Sequence, residues 1–119
     1  MNAPDLKPDH PAKYFAIRKK GKIYLLEEKE VVYFQASGHY SRVHLKDGTT
    51  ELHDKSLVQL MPILGEVYER VHRSYIVKMS EVRDIQVFKG GKYELELKNG
   101  DLIPMGRSKY KVIREKWLN

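Results

Sequence analysis

Asp47-Gly48 does more than any other pair of residues to limit what this chain can become. Asp-Gly between runs that alternate apolar and polar is a hairpin signal, because a tight turn needs positive φ at its centre and must match the twist of its strands. With those two residues as the loop, Lys46 faces Thr49, Leu45 faces Thr50, His44 faces Glu51, Val43 faces Leu52 and Arg42 faces His53. The period of two then places Val43, Leu45 and Leu52 on a core face and Arg42, His44, Lys46, Glu51 and His53 on a wet one.

Similar runs continue on both sides. Tyr14-Phe15-Ala16-Ile17-Arg18 and Ile23-Tyr24-Leu25-Leu26 flank Lys20-Gly21-Lys22, and an acidic connector, Glu27-Glu28-Lys29-Glu30, leads into the buried-strand pattern Val31-Val32-Tyr33-Phe34. Further on, Val82 to Phe88 and Tyr93 to Leu97 surround Lys89-Gly90-Gly91-Lys92, and Lys98-Asn99-Gly100-Asp101 turns the chain into Leu102-Ile103. Helical signals are short. Ser56 and Gln59 form a capping box before Leu57, Leu60, Met61 and Leu64, with Pro62 expected to bend or shorten the last turn. A final helix starts near Ser108, with Tyr110, Ile113 and Trp117 on one stripe. The expected fold is mainly β with short helices, an α+β arrangement of antiparallel strands. Residues 1–12 hold Pro4, Pro8 and Pro11 and read as a flexible linker or leader, leaving 13–119 as one domain.

Composition narrows the function class. The chain has no cysteine, which excludes a disulfide framework and thiolate metal sites and fits a reducing cytoplasm. No apolar run approaches the ~20 residues of a membrane span, and the first residues do not form a signal peptide, so no membrane association is expected. The net charge of +6 favours a polyanionic partner, nucleic acid first.

The residues argue against catalysis. No serine has a neighbouring base with an orienting acid, and Gly90-Gly91 reads as a hairpin tip, not as a phosphate loop opening a helix. His44, Glu51 and His53 would share one face of the hairpin, two imidazoles and a carboxylate of the kind transition metals use. Arg42 beside His53 would repel a dication, so the set reads as a solvated face and neither metal nor cofactor is expected.

Three separate segments remain, each placing a cation or histidine among small residues at the end of an extended run: Ser37-Gly38-His39-Tyr40, His72-Arg73-Ser74-Tyr75 and Gly106-Arg107-Ser108. Arg73 stands in an apolar stretch, where it either pairs with Glu69 or Glu81 or projects outward. Arg107 stands at the mouth of the last helix, whose free N–H groups can hold a phosphate. Arginine bonds two acceptors of guanine in the major groove, each such pair discriminating by ~1–3 kcal/mol, and histidine can donate or accept at a base edge. Lys55, Lys78, Lys89 and Lys109, with Ser74 and Ser108, suit phosphates, which set register without reading sequence.

The order and spacing of Val32 to Tyr40, Arg70 to Val77 and Ile103 to Tyr110 resemble the LytTR family, the DNA-binding output domain of many bacterial response regulators in two-component systems. The resemblance runs from about residue 14 to the C-terminus. It implies an elongated β fold whose loops enter successive major grooves, with base readers at His39 or Tyr40, at Arg73 within His72-Arg73-Ser74, and at Arg107. It also implies double-stranded DNA as partner, binding as a homodimer on promoter repeats, and an upstream receiver domain or sensor kinase. No receiver fits in residues 1–13, so a free-standing regulator or a fragment cut at the linker is expected. Pro62 departs from the family's first helix, and Lys78 stands where the family often has asparagine. The rival readings are a small basic β-rich protein-interaction module for an acidic partner and, third, an RNA binder. The latter would want aromatics exposed on a sheet face, whereas Tyr33, Phe34, Phe88 and Tyr93 sit among apolar neighbours.

Overall fold

The computed structural model describes residues 13–119; the linker expected over 1–12 lies outside them. The described strands are β1 (Tyr14–Lys19), β2 (Lys22–Glu27), β3 (Val31–Ser37), β4 (Tyr40–Leu45), β5 (Thr50–His53), β6 (Tyr68–His72), β7 (Tyr75–Lys78), β8 (Val82–Phe88), β9 (Lys92–Leu97) and β10 (Leu102–Met105). The helices are α1 (Leu57–Leu60) and α2 (Arg107–Trp117). A five-stranded sheet in the order β5-β4-β3-β7-β6 has a two-stranded sheet, β1-β2, and a three-stranded sheet, β10-β9-β8, beside it. Every pairing within them is antiparallel. The body is elongated, 50 × 32 × 24 Å.

β3 organises the interior. Val31, Val32, Tyr33 and Phe34 are all buried, as a continuous apolar run requires when both faces of a strand are covered. A register shift between Val31 and Tyr33 divides them. Val31 and Phe34 join Phe15, Val43, Leu60 and Ile76 in one core, while Val32 and Tyr33 join Val77, Leu95, Ile103 and Ile113 in the other. Phe34 is fully buried with the Phe15 ring edge-on at 5.5 Å, so its loss to alanine would cost ~3–5 kcal/mol.

α1 starts as expected, with both halves of the Ser56–Gln59 capping box formed. Pro62 follows in a 3-10 turn over Met61–Ile63, which leaves the α-helix itself a single turn. α2 begins at Arg107, one residue before the expected start, with Gly106 as its cap. Its Tyr110 stacks on Tyr93 of β9 at 4.1 Å.

The Asp47-Gly48 hairpin forms in a different register from the one expected. His44 faces Thr50, Val43 faces Glu51, Arg42 faces Leu52 and Ser41 faces His53, a displacement of one residue. The Gly48 N–H donates to the Leu45 carbonyl (3.0 Å) and Leu45 N–H to the Thr49 carbonyl (2.9 Å), so Lys46-Asp47-Gly48 is a three-residue loop ending in Gly48 at φ 88°. The Asp47 carboxylate drives this, accepting from the Thr49 N–H (2.9 Å) and hydroxyl (2.6 Å). A slip of one residue exchanges the faces. His53 is buried, Leu52 is 43% exposed, and His44 and His53 stand on opposite sides of the sheet, so the expected His44, Glu51 and His53 face does not exist.

Candidate nucleic-acid interface

Of the three segments singled out in the sequence, two form hairpin turns and the third opens a helix. Ser37 faces Tyr40, which makes Gly38-His39 a two-residue loop with Gly38 at φ 61° in the position where a type II′ turn wants glycine. His72 faces Tyr75, which makes Arg73-Ser74 a second two-residue loop. Arg107 opens α2 immediately after β10.

These turns converge at one end of the molecule. β3 and β7 are neighbours with Gln35 facing Tyr75, and the Ala36 N–H donates to the Ser74 carbonyl at 2.9 Å, so the His39 and Arg73 tips stand side by side. The Gly106 N–H donates to the Val71 carbonyl at 3.3 Å and brings the start of α2 against β6, two residues from Arg73. Arg107 also reaches the β8–β9 tip, its Nη2 donating to the Gly90 carbonyl at 2.8 Å. Gly91 leaves the necessary space: a Cβ there would collide with the Arg107 guanidinium.

The tips are braced from within. Arg70 donates from Nε to the His72 carbonyl (3.1 Å) and from Nη2 to the Arg73 carbonyl (2.5 Å), and His72 Nδ1 accepts from the Ser74 N–H (3.0 Å). Behind them lies a polar chain. His44 meets the Gln35 side-chain oxygen at 2.9 Å, Gln35 Nε2 reaches the Tyr75 hydroxyl at 3.3 Å, and the Tyr33 ring stacks on His44 at 4.0 Å. Tyr33 in turn donates to Asp101 at 3.0 Å. Burial holds His44 below the ordinary imidazole range, and burial with the Asp101 bond pushes the Tyr33 hydroxyl well above the ordinary phenol range. Gln35 and Arg70 were not distinguished by sequence reasoning, and His44 and Gly91 were read there only as a solvated face and a hairpin tip, since their roles depend on how the strands and turns meet.

The sequence-predicted readers are available to a ligand. His39, Tyr40, Arg73 and Arg107 are exposed, and among the described residues the Arg73 guanidinium has no hydrogen-bond or ion-pair partner. The carboxylates offered as its partners are engaged elsewhere, Glu69 with Lys116 (2.6 Å) and Trp117 (2.9 Å), and Glu81 with Lys46 (3.7 Å). Lys55 lies on one flank of the tips, its carbonyl accepting from Ser41 Oγ at 2.6 Å beside Tyr40. Lys89, at the β8–β9 tip, and Ser108 and Lys109, in the first turn of α2, lie on the other.

Lys78 is a correction. It ends β7 opposite Tyr68, at the end of the sheet away from the tips, and it is buried. Its Nζ donates to the Glu28 carbonyl at 2.7 Å and pairs with Glu28 Oε2 at 3.2 Å, 5.7 Å from the centre of the Tyr68 ring. An ammonium committed in this way is not free for a phosphate.

Among the described residues no group of three or more His, Asp or Glu side chains stands ready to hold a cation, and no helix is long and apolar enough to cross a membrane. The chain is similar to known proteins in both sequence and fold. The chain is 33% identical over 106 residues to the transcriptional regulatory protein BtsR of Escherichia coli (strain K12), covering 87% of this chain and 42% of BtsR. It is 38% identical over 86 residues to the CO-responsive transcriptional regulator RcoM of Rhodospirillum rubrum, covering 71% of this chain and 36% of RcoM. It therefore spans about two fifths of the length of such curated relatives. The fold is shared with the LytTr DNA-binding domain of a methyl-accepting/DNA response regulator from Bacillus cereus, with a TM-score of 0.76 at 21% identity over 87% of this chain and 95% of that one. The LytTr DNA-binding domain model matches residues 21–118, and the chain belongs to the LytTR family of DNA-binding domains.

Proposed function

We propose that this chain binds double-stranded DNA sequence-specifically, as the output part of a transcriptional regulator. The observation that carries the reading is the convergence of the His39, Arg73 and Arg107 turns at one end, held together by the Ala36–Ser74 and Gly106–Val71 backbone bonds. Arg73 and Arg107, with His39 or Tyr40, read base edges in the major groove. Ser74, Ser108, Lys109, Lys55 and Lys89 hold phosphates and set register. Relatives named as transcriptional regulators extend well beyond the matched part. The reading accordingly includes an input from a receiver domain or sensor kinase, and binding as a pair on promoter repeats.

Selection of bound duplexes from a random pool tests this. An enriched motif is expected, with affinity falling by ~0.9 log unit per log unit of salt for each phosphate contact, and with single-stranded DNA and RNA as poor competitors. Binding that ignores salt, or that enriches no motif, would refute it. Salt-dependent binding of acidic polymers in general, with no preference for duplex, would favour a protein-interaction module instead.

A further inference from the structure

The β1–β2 turn carries charge that the fold does not use. Arg18, Lys19, Lys20 and Lys22 fall within five residues. Arg18 Nη1 pairs with Asp54 Oδ2 at 3.0 Å and Lys19 Nζ with Glu51 Oε1 at 2.9 Å, which clamps β1 onto the β5 edge and neutralises both. Lys20 and Lys22 are exposed and have no ion-pair partner among the described residues. Lys20 adopts φ 52°, the positive-φ position ahead of Gly21 at 74°. Both values suit a type I′ turn, whose first position takes Asn, Asp or Gly with less strain than lysine. The fold therefore tolerates a lysine here that it would be less strained without.

The position of this turn is equally specific. Arg18 meets Asp54, the residue before Lys55, and a hollow of about 480 Å³ has Arg18, Lys19, Tyr40 and Arg42 on its rim. The β1–β2 turn thus flanks the Tyr40 side of the tip cluster. We propose that it is an additional DNA-binding element, in which Lys20 and Lys22 contact backbone phosphates outside the stretch read by the tips. This rests on the duplex-binding reading above and extends its footprint on one side only. Lysine suits such a contact, because its ammonium is a mobile point charge on a flexible stem, able to follow phosphates without fixed geometry.

The test compares the full chain with Lys20→Asn/Lys22→Ala and with Lys20→Arg/Lys22→Arg. Asn-Gly is the preferred type I′ sequence, so the first variant keeps the turn while removing both charges. Binding to a long mixed-sequence duplex is followed by fluorescence anisotropy across a salt series. The charge-removed variant should show a slope of log affinity against log salt shallower by roughly 1.8, from ~0.9 per contact, and the arginine variant should keep the wild-type slope. Hydroxyl-radical protection should be lost at one flank of each half-site, and the motif enriched from a random pool should not change. A charge-removed variant with wild-type slope and footprint overturns this proposal and leaves the duplex reading intact. An altered motif overturns it too, because the turn would then read bases. A wild-type chain that fails to bind duplex overturns both readings, a result distinct from either of the others.

Discussion

Replacing Lys78 with methionine separates a phosphate lysine from a structural one. The Lys78 side chain is 6% exposed and the Glu28 side chain 30% exposed, and Glu28 Oε2 also accepts from the Tyr68 hydroxyl at 2.5 Å. Methionine retains most of the buried stem but removes the ammonium, leaving the Glu28 carboxylate to Tyr68 and the Glu28 carbonyl to the Val31 N–H. Breaking a fully buried pair costs ~3–5 kcal/mol. Glu28's contact with water lowers that to about 2–3 kcal/mol here. For a domain of this size ~4 °C of melting temperature accompanies each kcal/mol, so Lys78→Met should melt roughly 8–12 °C below the wild type. Adding Glu28→Gln removes the uncompensated charge and should restore part of the loss. The slope of DNA affinity against salt should stay at the wild-type value in both. A Lys78→Met chain that melts normally and binds with a slope shallower by ~0.9 would refute the buried-pair account and return Lys78 to the DNA surface.

Four further substitutions probe the tips and the core. Arg73→Ala should change stability by no more than ~0.5 kcal/mol, since the side chain is exposed, yet cost ~1–3 kcal/mol on the preferred duplex and far less on a scrambled one. Equal losses on both duplexes would make Arg73 a phosphate contact instead. Gly91→Ala and Gly90→Ala both strain a left-handed position, at φ 76° and 83°, but only the first puts a Cβ against Arg107. Both should lose ~1–2 kcal/mol of stability while Gly91→Ala alone alters base preference; matching preferences would show that Arg107's position on Gly90 does not matter for binding. Burial holds the His44 and His53 imidazoles below their ordinary value of 6.5, so the unfolded chain takes up protons first as pH falls. Their contribution to stability is complete above about pH 6.5 and is lost as pH drops through the window beneath it. His53→Asn keeps an acceptor for the Lys55 N–H, which meets His53 Nδ1 at 3.1 Å, without a titrating ring. Denaturant melts at pH 7.5 and 5.5 should therefore differ less in the variant, and an equal difference would exclude His53 as a source of acid sensitivity.

Features that depend on neighbouring residues were legible in the sequence. The Ser56–Gln59 capping box, the Pro62 interruption and the buried run of β3 all follow from contacts within a few residues or from an unbroken apolar pattern. Lys78 was not legible, because its partner Glu28 lies 50 residues upstream in an acidic connector that has the composition of an ordinary solvated loop. The same holds for the joining of the tips. Ala36–Ser74 and Gly106–Val71 are backbone bonds, and no side chain in the sequence marks which carbonyl will meet which N–H.

The shifted register at Asp47-Gly48 reversed a strand's faces but left the place where the chain turns unchanged. A face assignment rests on parity, and parity fails completely when one residue is added to a loop. The Asp47 carboxylate captured Thr49, the loop gained Lys46, and His53 passed from the expected wet face into the core. A tip assignment is less fragile. With the loop one residue longer, Asp47 and Gly48 still lie at the end of the hairpin, because turn residues and the apolar runs around them fix where the chain reverses. His39, following Gly38, was placed by that sturdier rule, whereas Arg73 was placed by the family resemblance; both occupy two-residue turns. In a sheet protein, a residue marked by a turn signal can thus be located even where the sequence misassigns a strand's faces.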